Sequence, residues 1–175
     1  MLCSAPICGR RSEYEYESLV AFDSLQGRTI TRIAFLDDER KPCAPAGASR
    51  VEIDAEGLPD GDVDAGSAPV RPRHRWALYH DQDCCESVLV ESVDGDPADL
   101  VGAYVTTAEE ASENAPDTED GVGAWTFYKL CTPKGDLTIR WYGTSNGFYS
   151  TSVDLEVSEG PALGAPWVAQ PGIDW

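Results

Sequence analysis

Alternation of apolar and polar residues is the dominant pattern of this chain, and it predicts β-strands. The alternation is clearest over residues 125–132 and 137–142, and residues 133–136 between them have the composition of a tight turn. A third strand is predicted over 149–157, so that the three segments form an antiparallel meander. No stretch shows the apolar period of a long amphipathic helix.

Weaker patterns predict the remaining elements. Further strands are expected at 27–37, 76–80 and 86–92, with short ones at 50–53 and 104–107. Residues 94–102 predict a short helix, because Pro97 lies in its first turn and Gly102 follows its end. The acidic run 109–120 predicts a solvated loop. The sequence therefore predicts an α+β fold, predominantly an antiparallel β-sheet (meander) with one or two short helices.

The segments outside these patterns predict the domain organisation. Residues 1–16 are expected to form a flexible N-terminal arm, and residues 159–175 a C-terminal tail rich in Pro, Gly and Ala. Between them, residues 17–158 are predicted to form a single β-rich ligand-binding domain. Residues 38–73 are interpreted as an irregular insertion in that domain, because long structureless loops are uncommon inside a compact fold.

The charge of the chain excludes one class of partner. It has 13 basic and 31 acidic residues, so its formal net charge is −18. A surface this negative repels the backbone of DNA or RNA, so no nucleic-acid polymer is expected as a partner. No apolar run reaches the ~20 residues of a membrane-spanning helix, and the N-terminus lacks the pattern of a secretory signal. We therefore expect a cytoplasmic protein with reduced cysteines and no membrane partner.

The segment from His80 to Cys85 is a candidate for metal or hydrolytic chemistry. His80, Cys84, Cys85 and Cys131 are residue types that bind zinc, but their spacing matches no zinc motif. Neighbouring residues on a strand also point to opposite faces. We therefore predict no metal. His80 with Cys84 or Cys85 would suit a phosphodiesterase or cysteine hydrolase, although no catalytic motif surrounds them.

The predicted meander holds a candidate ligand site. Arg140 shares a strand face with Thr138 and Tyr142, and its planar guanidinium suits a phosphate. Nearby aromatic rings offer stacking surfaces for a purine, and Ser145 and Asn146 add a hydroxyl and an amide. The alternative is an arginine that pairs with local carboxylates on a solvated sheet face. Both interpretations remain open from the sequence.

Several sequence blocks resemble a family of small phage proteins, the Thoeris anti-defence proteins of the first type. The blocks are HDQDCCESV at 80–88, VDGDPADLVG at 93–102, AEE at 108–110, WTFYK at 125–129 and IRWYGTSNG at 139–147. The resemblance covers residues 27–37 and 75–157, and it fails over the insertion and at both termini.

This resemblance implies a binding protein rather than an enzyme. Proteins of that family sequester a cyclic ADP-ribose isomer without cleaving it, assemble as dimers or hexamers, and in some cases also bind cyclic oligonucleotides. By analogy, the ligand would be bound by Arg140 at a phosphate, by Phe127 or Trp125 through stacking, and by Asn146 through polar contacts, with Tyr142 and Ser145 beside them. The expected location is the host cytoplasm, with no cofactor. The alternatives are a nucleotide-processing enzyme and an acidic protein that mimics another macromolecule.

Overall fold

The computed structural model describes residues 21–57, 71–116 and 121–159. Across these ranges the chain forms eight strands, a 3-10 helix and one short α-helix. The strands are β1 Thr29–Leu36, β2 Arg50–Glu56, β3 Arg73–Tyr79, β4 Glu86–Asp94, β5 Thr107–Asn114, β6 Val122–Thr132, β7 Gly135–Ser145 and β8 Asp154–Glu159. The 3-10 helix is Phe22–Leu25, and α1 is Pro97–Leu100.

The strands form two antiparallel sheets that pack face to face. Sheet 1 has the order β1-β2-β3-β8, and sheet 2 has the order β4-β7-β6-β5. One hydrophobic cluster contains residues from both sheets, so the molecule is a β-sandwich with its core between the inner faces. The predicted fold class, an antiparallel β-sheet with short helices, is confirmed. Across the described residues no helix has the length and apolar character needed to cross a membrane.

Alternation sends every second side chain of the central strand β7 into the core. In β7 the inner residues Leu137, Ile139 and Trp141 are at most 1% exposed, and in β2 Val51 and Ile53 are fully buried. A fully buried side chain of this size stabilises the fold by about 1.5–3 kcal/mol. The same alternation points the remaining residues of β7, Arg140 among them, to the outer face of sheet 2.

The short strand predicted at 50–53 is confirmed, and it extends to Glu56 as a central strand inside the segment interpreted as an irregular insertion. β2 pairs with β1 on one side and with β3 on the other. Its outward positions, Glu52 and Asp54, carry charges that normally indicate exposure, yet both are buried. Residues 58–70 of the predicted insertion lie outside the described residues.

The solvated loop predicted over 109–120 is also wrong for its first half. β5 pairs with β6 along its whole length, from Thr107 to Asn114. Only Ala108 of this strand is buried, and the positions from Glu109 onward are exposed. Charged side chains on an edge strand hinder its pairing with other chains. Because these side chains are polar and exposed, the sequence of β5 has the composition of a solvated loop.

The third strand of the predicted meander belongs to the other sheet. β8 pairs with β3 in sheet 1, where Leu155 lies opposite Leu78 and Val157 opposite Trp76. These apolar contacts complete the core on that side, whereas β6 is flanked by β5 and β7. The predicted N-terminal arm, and all but the first residue of the predicted tail, lie outside the described residues.

The short helix α1 forms as predicted. Asp96 caps it, because its carboxylate accepts a hydrogen bond of 2.8 Å from the Ala98 N–H, and Pro97 occupies the first turn. Gly95 precedes the cap with φ of 100°, and a Cβ there would lie 2.2 Å from the Asp136 carbonyl oxygen. Only glycine fits this turn between β4 and α1.

Candidate functional site

The outer face of sheet 2 brings together four of the six residues predicted to bind a ligand. Trp125 and Phe127 lie on β6, and Tyr142 and Arg140 lie on β7. In the register of the two strands Trp125 is opposite Tyr142, and Phe127 is opposite Arg140. We call these four residues the aromatic face. Alternation alone places them side by side, because their neighbours along each strand point into the core.

Two of the three rings of the aromatic face, those of Trp125 and Tyr142, are in contact. The centroids of Trp125 and Tyr142 are 5.5 Å apart, and their planes are inclined by 34°. A Cβ on Gly123 would lie 3.0 Å from the Tyr142 hydroxyl, so the glycine leaves room for this ring. All four side chains of the face are partly exposed. The result is a half-open platform of three rings with one guanidinium beside them.

Two nitrogen atoms of the aromatic face lack hydrogen-bond acceptors. Nε1 of Trp125 and Nε of Arg140 are hidden from solvent, and neither has a hydrogen-bond partner among the described residues. A buried donor without an acceptor costs about 1–3 kcal/mol. Such donors are rare in folded proteins, and the indole N–H of Trp141 in the core is another in the described residues.

A carboxylate neutralises the arginine of this face. Nε of Arg140 lies 2.7 Å from Oε2 of Glu91, although the N–H is not directed at that oxygen. Glu91 stands where the register of β4 shifts, between Val90 and Ser92. The side chains of the pair are 42% and 37% exposed. An ion pair this exposed contributes at most about 1 kcal/mol, so an anion can replace the glutamate.

The other two predicted residues do not join the face. Ser145 is buried, and its hydroxyl donates to the Tyr149 carbonyl oxygen at 2.8 Å and accepts from the Gly147 N–H at 2.9 Å. This hydroxyl therefore holds the turn after β7 through both hydrogen bonds. Asn146 is exposed at the end of β7, where its Oδ1 accepts from the Phe148 N–H.

The alternative hydrolytic site is not assembled in this structure. His80 uses both ring nitrogens: Nδ1 lies 2.8 Å from the Ser152 carbonyl oxygen, and Nε2 lies 3.0 Å from Oε1 of Glu86. The side chains of His80 and Glu86 are only 6% and 3% exposed. His80 is thus a buried residue that ties β4 to the segment before β8, and neither cysteine sulfur is among its hydrogen-bond partners. No group of three metal-ligating side chains occurs in the ranges that the structure covers.

The two neighbouring cysteines point to the same side, contrary to the expectation for a strand. They occupy the turn before β4, and their Sγ atoms are 3.0 Å apart. The Tyr149 hydroxyl lies 3.3 Å from Cys84 Sγ. Hydrogen bonds from Cys85 and then Tyr149 lower the pKa of the Cys84 thiol, and the same bond to Cys84 raises the pKa of Cys85.

The outer face of sheet 1 carries a charged cluster that sequence reasoning missed. Asp54 on β2 accepts two hydrogen bonds from Arg75, of 2.6 and 3.0 Å, and Glu52 contacts Arg32 at 3.1 Å and Arg50 at 3.2 Å. We call these five residues the charged face. The signal was present in the sequence, because acidic and apolar residues alternate strictly from 51 to 55.

The chain belongs to the DUF7448 family, described as a domain of unknown function, which matches residues 23–155. The matched segment runs from the 3-10 helix into β8 and so includes both outer faces. No curated protein and no solved structure matches the chain.

Proposed function

We propose that this protein binds a cyclic ADP-ribose isomer and sequesters it without cleaving it, which would counteract an antiphage defence in the host cytoplasm. The observation that carries the proposal is the aromatic face, where three rings and one guanidinium share the outer surface of sheet 2. The sequence blocks that resemble the Thoeris anti-defence proteins include both strands of this face.

Each group of the aromatic face suits one part of such a ligand. A purine stacked on Phe127 or Trp125 gains about 1–3 kcal/mol. A phosphate oxygen matches the forked donors of Arg140, and a ribose or phosphate oxygen satisfies the indole N–H of Trp125. The ligand would displace the Glu91 carboxylate, whose ion pair with Arg140 is partly exposed.

Sequestration requires more enclosure of the ligand than one copy of the aromatic face provides. Capturing a signal requires affinity and slow release, and needs neither a nucleophile nor a general base. A small ligand is normally enclosed over most of its surface, whereas the aromatic face is half-open. We therefore propose a homo-oligomer, a dimer or hexamer, in which a second copy covers the ligand.

The fate of the ligand separates this function from the enzymatic alternative. The full-length protein is incubated with cyclic ADP-ribose isomers at a stoichiometric ratio, passed through a desalting column, denatured by heat and assayed by liquid chromatography. We expect the isomer to be recovered intact from the denatured protein. Progressive loss of the isomer would show catalysis and contradict sequestration. Failure of every isomer to co-elute with the protein would leave the acidic mimic as the better hypothesis.

The site itself is tested by removing one ring. Phe127→Ala should weaken binding by ~10–100-fold, because one stacking surface is lost. Tyr104→Ala is the matched control, since Tyr104 is an aromatic residue 54% exposed before β5. Isothermal titration calorimetry with the isomer measures both variants. Equal affinities in the two variants would place the site elsewhere.

A further inference from the structure

The turn before β4 presents two neighbouring thiols to solvent. Cys84 and Cys85 are both exposed, and their sulfur atoms are 3.0 Å apart, whereas a disulfide bond is about 2.0 Å long. Closing the bond therefore requires the two sulfurs to approach by about 1 Å and the backbone of the turn to adjust, because Cα atoms about 3.8 Å apart are closer than in most disulfides. Of the other cysteines in the described ranges, Cys43 and Cys131 are partly buried. Geometry and access thus single out this pair.

The groups around the pair prepare one thiol for attack. Cys84 Sγ contacts the Tyr149 hydroxyl at 3.3 Å, and hydrogen bonds from Cys85 and Tyr149 lower its pKa. Burial raises the pKa of Cys43 and of Cys131, with nearby aspartates adding to the effect. A thiolate is the attacking species in thiol–disulfide exchange, so among the described cysteines Cys84 should react before Cys85, Cys43 and Cys131.

The charges beside the pair select the reagent. Asp83 precedes Cys84, and Glu86 follows Cys85, so the thiols sit between two carboxylates. His80 faces Glu86 from the end of β3 at 3.0 Å, and it carries a charge only when protonated. A negative environment repels an anionic disulfide and attracts a cationic one.

We propose that Cys84 and Cys85 form a thiol–disulfide exchange site that reacts with uncharged or cationic low-molecular-weight disulfides and closes into a disulfide between neighbouring residues. The Cys84 thiolate attacks the disulfide R–S–S–R, forms a Cys84–S–S–R bond and releases one thiolate. Cys85 then loses its proton, and its sulfur attacks Cys84 Sγ and releases the second thiolate. The two cysteines are oxidised by two electrons, and the reagent is reduced to two RSH molecules.

This reaction would act on the turn that follows β7. Closing the bond removes the Cys84 thiol from the Tyr149 hydroxyl, and the Tyr149 carbonyl oxygen is the acceptor of the Ser145 hydroxyl. The Asn146 N–H also donates to the Cys85 carbonyl oxygen at 3.2 Å. The site is therefore joined to the end of β7 by hydrogen bonds, and it does not depend on the aromatic face binding any ligand.

The test follows the thiols of the full-length reduced protein by mass spectrometry. Cystamine, a cationic disulfide, is added, and the peptide of residues 76–129, which contains Cys84 and Cys85 but no other cysteine, is isolated after trypsin digestion. We expect this peptide to lose two hydrogens and carry no adduct. Cys84→Ser and Cys85→Ser should each stop at one persistent adduct at most, and Cys43→Ser should behave as the native protein.

Two results would overturn the proposal. One is a stable adduct on the native peptide, because it would show that Cys85 does not complete the exchange. The other is an equal or faster reaction of Cys43 or Cys131.

The preference for a cationic reagent is measured separately. Oxidised glutathione, which is anionic, should react ~3–10-fold more slowly than cystamine, and Asp83→Asn should reduce that difference. An unchanged ratio in Asp83→Asn would contradict the role of charge in choosing the reagent.

Discussion

The outer faces of the two sheets differ in whether their polar side chains find hydrogen-bond partners within the protein. Both follow from strict alternation, which must place every second side chain of a central strand away from the core. On the charged face the carboxylates of Asp54 and Glu52 are nearly buried and hydrogen-bonded to arginines of the same sheet. On the aromatic face the buried indole N–H of Trp125 has no acceptor among the described residues, and the Nε–H of Arg140 is not directed at the Glu91 carboxylate beside it.

The difference separates a structural surface from a binding surface. A polar cluster that satisfies its own hydrogen bonds has nothing to gain from a ligand, and its disruption costs stability. A surface with unmet donors and open rings gains from a ligand, and its residues cost little to replace in the free protein. Substitutions on the charged face should therefore lower the free energy of unfolding. Substitutions on the aromatic face should instead weaken the binding of the ligand.

The largest expected effect is on the charged face. Asp54→Ala should lower the free energy of unfolding by about 2–4 kcal/mol, because Arg75 loses two hydrogen bonds and, among the described carboxylates they share, Arg75 and Arg32 keep only Glu52. The value lies towards the lower end for buried pairs, since the side chains of these arginines are 29% and 28% exposed. Urea denaturation followed by tryptophan fluorescence measures it.

The control for this loss is an exposed ion pair in the turn after β1. Glu39 pairs with Lys41 there, and both side chains are about 70% exposed. Glu39→Ala should change the unfolding free energy by less than about 0.5 kcal/mol. If Asp54→Ala lowered the free energy of unfolding no more than Glu39→Ala does, that result would contradict a structural role for the charged face.

The accuracy of sequence reasoning also differed between the faces. The strands that became β6 and β7 alternate apolar with polar or aromatic residues, so their period was visible and Arg140 and Tyr142 were placed on one strand face from the sequence. β2 alternates too, but its second set is acidic, and burial of Glu52 and Asp54 depends on arginines from β1 and β3. The local sequence around Glu52 and Asp54 does not indicate that their arginine partners lie about 20 residues away in the chain.

Two further features of the site depended on tertiary contacts. The pairing of Arg140 with Glu91 joins β7 to β4, which are separated by two other strands in the chain. The engagement of the Ser145 hydroxyl by Tyr149 follows from the path of the turn after β7. Residue type and alternation identified which side chains share a face. They carried no information on which of those groups already had a partner.

A smaller effect, on ligand affinity, is expected when the Glu91 carboxylate that neutralises Arg140 is removed. Glu91→Gln should raise the affinity for an anionic nucleotide by ~3–10-fold, because the ligand no longer has to displace a carboxylate from Arg140. Calorimetry with a cyclic ADP-ribose isomer measures the change. In the Arg140→Gln background the same substitution should give no gain, since the arginine that benefits is absent. A gain that persists there would mean that Glu91 acts through the general field of this acidic surface.

The smallest effect, on the free energy of unfolding, is expected when the indole N–H of Trp125 is removed. Trp125→Phe keeps a ring beside Tyr142, whose centroid is 5.5 Å away, and deletes the indole N–H that has no acceptor in the described structure. The free energy of unfolding should stay within about 1 kcal/mol of the native value, because the lost apolar contact is offset by the removal of a buried, unsatisfied donor. Binding should weaken at the same time, since the ligand loses a hydrogen bond. A clear loss of stability with unchanged binding would make Trp125 a structural residue, and the two outer faces would then differ in chemistry without differing in role.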